Sequence, residues 1–144
     1  MDHNPTIGLE IKTLSNLIRR YVENSDTKKY VDKLTGTHSW IIGYLYDNRE
    51  KDIFQRDLET EFSIRRSTAT GILQLMEKNN LIIRSPVDYD ARLKKLTLTP
   101  RAIEIHKIVA EDIKRIEAQL SKGLTEEEIT AFLTVVSKIK DNIS

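Results

Sequence analysis

The sequence predicts a mainly α chain with one small β-hairpin. Apolar residues recur at spacings of three and four near both ends of the chain, which lays them along one side of a helix. Only 5 Gly and 3 Pro interrupt 144 residues, too few for a fold built from many tight turns. Residues 81–84 and 96–99 instead combine apolar and β-branched side chains in the manner of paired strands.

The first helix is expected over residues 6–30. Ile7, Ile11, Leu14, Ile18 and Tyr21 follow one another at 4, 3, 4 and 3, and Leu17 and Val22 widen the stripe. A second helix fits residues 37–48, with Thr37 as its N-cap and Trp40, Ile41, Tyr44 and Leu45 turned inward. The polar run DNREKD ends it. Ile53 and Phe54 form a short apolar step before a brief helical pattern over residues 55–62. After Ser63 a longer helix spans residues 64–78, with Ile72, Leu73 and Met76 on its buried side. Asn79 and Asn80 stop it, because Asn tolerates the left-handed conformation of a helix end. The two strands follow, and the charged, Pro-containing residues 85–95 between them read as a long exposed loop.

The last third is helical. Thr99 and Pro100 give an N-cap followed by Pro at the first helical position. Ala102, Ile105, Val109, Ile113, Ile116 and Leu120 make the next stripe, and Gly123 stops it. Thr125 with Glu128 forms a capping box, and Glu126 and Glu127 join Glu128 in the first turn, where the helix dipole favours acids. Ile129, Phe132, Val136, Ile139 and Ile143 complete a final stripe. The terminal helices have more apolar surface than the small centre needs. Residues 1–34 and 100–144 are therefore expected to form a dimerisation region around a central domain at residues 35–99.

Several function classes drop out. With no Cys, disulfides, thiolate metal sites and thiol redox sensing are impossible. His3, His38 and His106 lack companions at metal-ligand spacing, so no metal or cofactor is expected. No apolar run approaches a bilayer span and the N-terminus is not a secretion signal, which reads as cytoplasmic. No nucleophile, base and acid cluster and no Gly-rich phosphate loop supports an enzyme.

Helix, turn, helix and hairpin is the order of a winged helix-turn-helix, and the side chains suit DNA. The second helix of the pair opens with Arg65, Arg66, Ser67, Thr68, Ala69 and Thr70. The arginines can fork onto guanine edges or phosphates, the hydroxyls can bond either, and Ala69 can meet a thymine methyl. In the hairpin, Arg92 and Lys94 share a face, with Lys95 beside them, and Arg suits a narrow minor groove. Asp90, two residues earlier, can hold the Arg92 guanidinium extended through a bidentate pair. Gly71 sits in mid-helix at a cost of about 1 kcal/mol, consistent with close approach of either a neighbouring helix or the DNA backbone.

The segments SIRRSTATGILQLMEKNNLIIRSP and DYDARLKKLTLT, with the long helix after them, resemble the MarR family of bacterial transcription regulators. That family's wing reads Asp-x-Arg, then basic residues, then Leu-Thr; Asp90, Arg92, Lys94, Lys95, Leu98 and Thr99 occupy those places. Asn80 and Ala102 stand where the family commonly has Gly. The resemblance implies an intertwined homodimer that binds double-stranded DNA, often released by a small-molecule effector between the dimer helices and the winged domain. His38, Trp40 and Tyr44 lie near one side of the second helix, either as core or as the lining of such a pocket. The expected function is a sequence-specific repressor on a pseudo-palindromic operator. The alternative is a winged-helix protein-interaction module, for which an exposed apolar face would suit better than Arg-Arg-Ser-Thr.

Charge sharpens the DNA reading. The chain holds 23 Lys and Arg against 22 Asp and Glu, yet residues 64–101 carry +5 while the flanking segments carry −2 each. A near-neutral total hides a basic reading head.

Overall fold

The computed structural model describes residues 4–24 and 36–144. The His3 tail, the expected helix continuation through residues 25–30 and the expected boundary at residue 34 lie outside them. The described residues form α1 (Ile7–Glu23), α2 (Gly36–Asp47), α3 (Gln55–Glu61), α4 (Arg66–Lys78), β1 (Ile82–Val87), β2 (Asp90–Leu98), α5 (Pro100–Ser121) and α6 (Glu126–Ile143). The fold is mainly α with one antiparallel two-stranded sheet, a winged helix-turn-helix carrying additional helices.

Thr6 caps α1, its hydroxyl accepting the Leu9 amide at 3.3 Å. The helix ends at Glu23. Asn24 turns its N–H back to the Arg20 carbonyl, and its polar side chain competes poorly for a helix interior. No residue of α1 is buried within the chain.

Helix α2 already contains Gly36 and Thr37, so Thr37 is a helical residue and not the N-cap. Its inward arc is His38, Ile41, Ile42 and Leu45, all buried. Those positions follow the i, i+3, i+4, i+7 rule, which leaves Trp40 outside the arc. Trp40 is 59% exposed, against the expectation that it faces inward. Tyr44 is half-buried, edge-on to Phe62 at 5.9 Å.

The helix-turn-helix is α3, a tight turn at Ser63, and α4. The Asp57 carboxylate closes the start of α3 by accepting the Phe54 amide at 2.8 Å. Ser63 takes φ of +50°, and the Ile64 amide bonds the Glu59 carbonyl across the turn. Helix α4 begins at Arg66, later than expected, with Arg65 extended before it. Leu73 and Met76 are buried as expected, Ile72 is half-buried, and Ala69 joins the buried side at 1% exposure. Asn80 ends the helix in the left-handed region at φ of +58°, and the Leu81 amide returns to the Met76 carbonyl. Together Ile41, Ile42, Leu45, Ile53, Leu58, Leu73, Met76, Leu81, Ile82, Leu96 and Ala102 make one hydrophobic core.

The expected long loop is mostly strand. β1 runs through Ser85 and Pro86 to Val87, β2 starts at Asp90, and only Asp88 and Tyr89 make the turn. Polarity misled here because a solvated hairpin arm is polar on both faces. The ladder pairs Pro86 with Lys94 and then Val87 with Asp90, so residues 91–93 bulge out of register. Pro86 has no N–H to give the ladder at that point. At its base the hairpin joins the helical body through the Leu96 amide and the Ile53 carbonyl, 2.8 Å apart.

Thr99 caps α5 by accepting the Ala102 amide at 3.1 Å, and its own hydroxyl donates to the Asn80 carbonyl at 2.7 Å. Gly123 takes φ of +80° after α5. The capping box opens α6: the Thr125 hydroxyl accepts the Glu128 amide, and the Glu128 carboxylate accepts the Thr125 amide. The chain divides into two compact units, one ending at Asp112 within α5 and the other Ile113–Ser144. Helix α6 buries none of its residues; Phe132 is 55% exposed.

Candidate nucleic-acid interface

The reading head is built from the first turns of α4 and from the wing. Burying Ala69, Leu73 and Met76 fixes the rotation of α4, which puts Arg65, Arg66, Ser67 and Thr68 outward and exposed. Ala69, expected to meet a thymine methyl, is core instead. Thr70 also departs from expectation. Its hydroxyl donates to the Arg66 carbonyl at 2.8 Å and accepts the Gln55 side-chain amide at 2.9 Å, so it sets the helix in place. Gln55 reaches the Arg66 carbonyl as well, at 3.3 Å. This clamp between α3 and α4 has no spacing signature, so sequence reasoning missed Gln55. Among the described residues Gly71 meets no atom within 4 Å of where a Cβ would stand, so no described helix of the chain approaches it closely.

On the wing, Asp90 holds Arg92 in the expected bidentate pair. Arg92 Nε and Nη2 donate to the two Asp90 oxygens at 3.1 and 3.0 Å, and the Arg92 amide donates to Oδ1 at 3.0 Å. These Arg92 donors hold the Asp90 carboxyl below its ordinary range, the side chain first and the backbone second. The Arg92 side chain is 88% exposed, so the pair extends the guanidinium without hiding it. Its position in the out-of-register stretch pushes it away from the ladder.

Lys94 is exposed beside Arg92, but Lys95 points to the opposite side of β2. Lys95 Nζ lies 3.9 Å from Asp52 Oδ1, a tie to the helical body rather than a reading position. Two more cations of the basic segment serve structure. Arg84 lies 3.6 Å from Glu77, and Arg101 donates to the Asn79 carbonyl at the end of α4. The outward cations are then Arg65, Arg66, Arg92 and Lys94, with Lys78 exposed at the far end of α4. Among the described residues no group of three or more His and acidic side chains could hold a metal ion. His38 is buried in α2 and His106 stacks on Tyr46 at 4.5 Å; burial pushes both imidazoles below their ordinary value. No described helix is long and apolar enough to cross a membrane.

The sequence model of the MarR family matches residues 32–93. Among solved structures, the chain is similar to the transcription regulator MarR from Oenococcus oeni PSU-1, with 36% identity and a TM-score of 0.81. That match covers 94% of this chain and 99% of the other. The fold is also that of S. aureus MepR, solved as a complex with DNA, with 19% identity and a TM-score of 0.83. That match covers 96% of this chain and 97% of the other. The heme sensor protein PefR from Streptococcus agalactiae, in complex with heme, matches at 25% identity and a TM-score of 0.61. It covers 94% of this chain and 89% of its own.

Proposed function

The chain belongs to the MarR family, and from that premise we propose that it is a sequence-specific DNA-binding repressor acting as a homodimer. The observation that carries this is the reading head itself. Arg66, Ser67 and Thr68 stand outward on the first turn of α4, and Asp90 holds Arg92 extended on the wing. In this reading α4 enters the major groove, where Arg65 and Arg66 take guanine edges or phosphates and Ser67 and Thr68 take bases or phosphates. The wing carries Arg92 and Lys94 to the flanking minor groove. Thr70, Gln55 and Lys95 keep these two elements in place.

The homodimer is supported by surface that a monomer leaves wet. Ile7, Leu14 and Tyr21 on α1 and Phe132, Leu133 and Ile143 on α6 are all more than two-fifths exposed. Such apolar surface marks an interaction face. We assign α1 and the helices from Pro100 onward to dimerisation, and repression to occupancy of promoter DNA. The reading is supported by MepR, solved in complex with DNA, and by PefR, a heme sensor solved in complex with heme. A small effector that alters the spacing of the two winged units would disfavour the DNA-competent dimer.

The test is selection of bound duplexes from random DNA by the full chain. Two related half-sites about one helical turn apart are expected. Enrichment of no sequence would overturn the reading in favour of a protein-interaction module.

A further inference from the structure

The turn and the trunk of the wing are tied to one carboxylate. Tyr89, the second residue of the turn, donates its phenol to Asp52 Oδ2 at 2.9 Å across 37 positions of sequence. Lys95, farther along β2, approaches the other oxygen of the same carboxylate at 3.9 Å. Asp52 adjoins Ile53, whose carbonyl accepts the Leu96 amide. The hairpin therefore meets the segment between α2 and α3 at its tip, through Tyr89, and again through Lys95 and Leu96 on β2. Tyr89 is 66% exposed, so it does not serve the core. Arg92 lies between Tyr89 and Lys95, in the one stretch where strand pairing is out of register and cannot set its position.

We propose that Asp52 is the positioning residue of the wing: by holding Tyr89 and Lys95 it carries Arg92 at a set angle from α4. The inference rests on the DNA-binding reading above. An isolated two-stranded hairpin is marginally stable, and a wing untied at its tip must be ordered again when it meets DNA. Asp52 acts on affinity without touching DNA.

Tyr89→Phe tests this cleanly, since it removes one oxygen, keeps the ring and leaves the charge unchanged. On the selected duplex Tyr89→Phe binds about threefold more weakly, the scale of one net hydrogen bond. Amide exchange across residues 88–92 quickens in the unbound protein, while the unfolding midpoint falls only by what one exposed hydrogen bond contributes. In an Arg92→Ala background the same change adds no further loss, because the tie works through Arg92. Equal affinity of Tyr89→Phe and parent, or an equal loss with and without Arg92, overturns the inference and leaves the DNA-binding reading standing. If Arg92→Ala itself leaves affinity unchanged, the wing contact fails and the role of Asp52 falls with it.

Discussion

Replacing Thr99 by Val probes the joint between the wing and α5. Val keeps the shape and removes the hydroxyl, which lies in a side chain only 3% exposed. Three hydrogen bonds go, the longest of them to the Leu81 carbonyl at 3.3 Å. The Ala102 amide, in a fully buried residue, loses the cap at 3.1 Å, and the Asn80 carbonyl loses its donor at 2.7 Å. Loss of an N-cap costs about 1–2 kcal/mol. The abandoned Asn80 carbonyl adds about 1 kcal/mol, while the Leu81 carbonyl keeps the Thr99 amide. The expected loss is about 2–3 kcal/mol, or roughly 6–10 °C in Tm for a chain of this size. Urea unfolding followed by circular dichroism, at fixed protomer concentration, measures it. Thr125→Ala is the comparison, because that cap opens an exposed helix and its loss should cost only about 1 kcal/mol. A Thr99→Val loss below about 0.5 kcal/mol would refute the claim that this hydroxyl joins hairpin to helix.

Gly71→Ala should raise stability by about 1 kcal/mol, because a Cβ there meets nothing and Gly is a poor helix former; reduced operator affinity in the same variant would show that its bareness serves the DNA backbone. Phe132→Asp places a charge on the exposed stripe of α6, so the parent should sediment as the proposed dimer at micromolar concentration and the variant as a monomer, whereas a dimeric variant would remove α6 from the interface. Burial lowers the His38 and His106 pKa in the folded chain, so folding favours their neutral forms. That contribution is complete above the ordinary value of 6.5 and is lost as pH falls from there through the folded-state values. The urea midpoint should therefore fall between pH 7.5 and pH 5.5, and His38→Gln should lessen the fall.

Most helix ends were legible because they rest on local chemistry, although Thr37, read as an N-cap, lies inside α2. Thr99 with Pro100, the Thr125 and Glu128 box, Asn80 and Gly123 all behave as their residue types dictate. The Asp90 and Arg92 pair was legible for the same reason, since a single residue of one strand separates them. Rotation about a helix axis was harder to read. A broad apolar arc on α2 made Trp40 an equal candidate for the core, and only the packing of Ile41, Ile42 and Leu45 decided against it. Ala69 was misread because a small residue fits either face. Contacts between elements distant in sequence left no pattern. Gln55 with Thr70, and Asp52 with Tyr89, lie 15 and 37 positions apart, and nothing in the run DNREKD singles out its last Asp. Lys94 and Lys95 were alike in sequence, and strand alternation sends them to opposite faces.

The central claim, that α4 and the wing form one DNA-reading surface, is tested most directly by the affinity of Arg92→Ala for the selected duplex. Fluorescence anisotropy of parent and variant at one salt concentration gives the ratio. An exposed Arg that contacts DNA is expected to contribute about 1–3 kcal/mol, so the variant should bind about tenfold more weakly with an unchanged unfolding midpoint. Equal affinity of variant and parent would contradict the account.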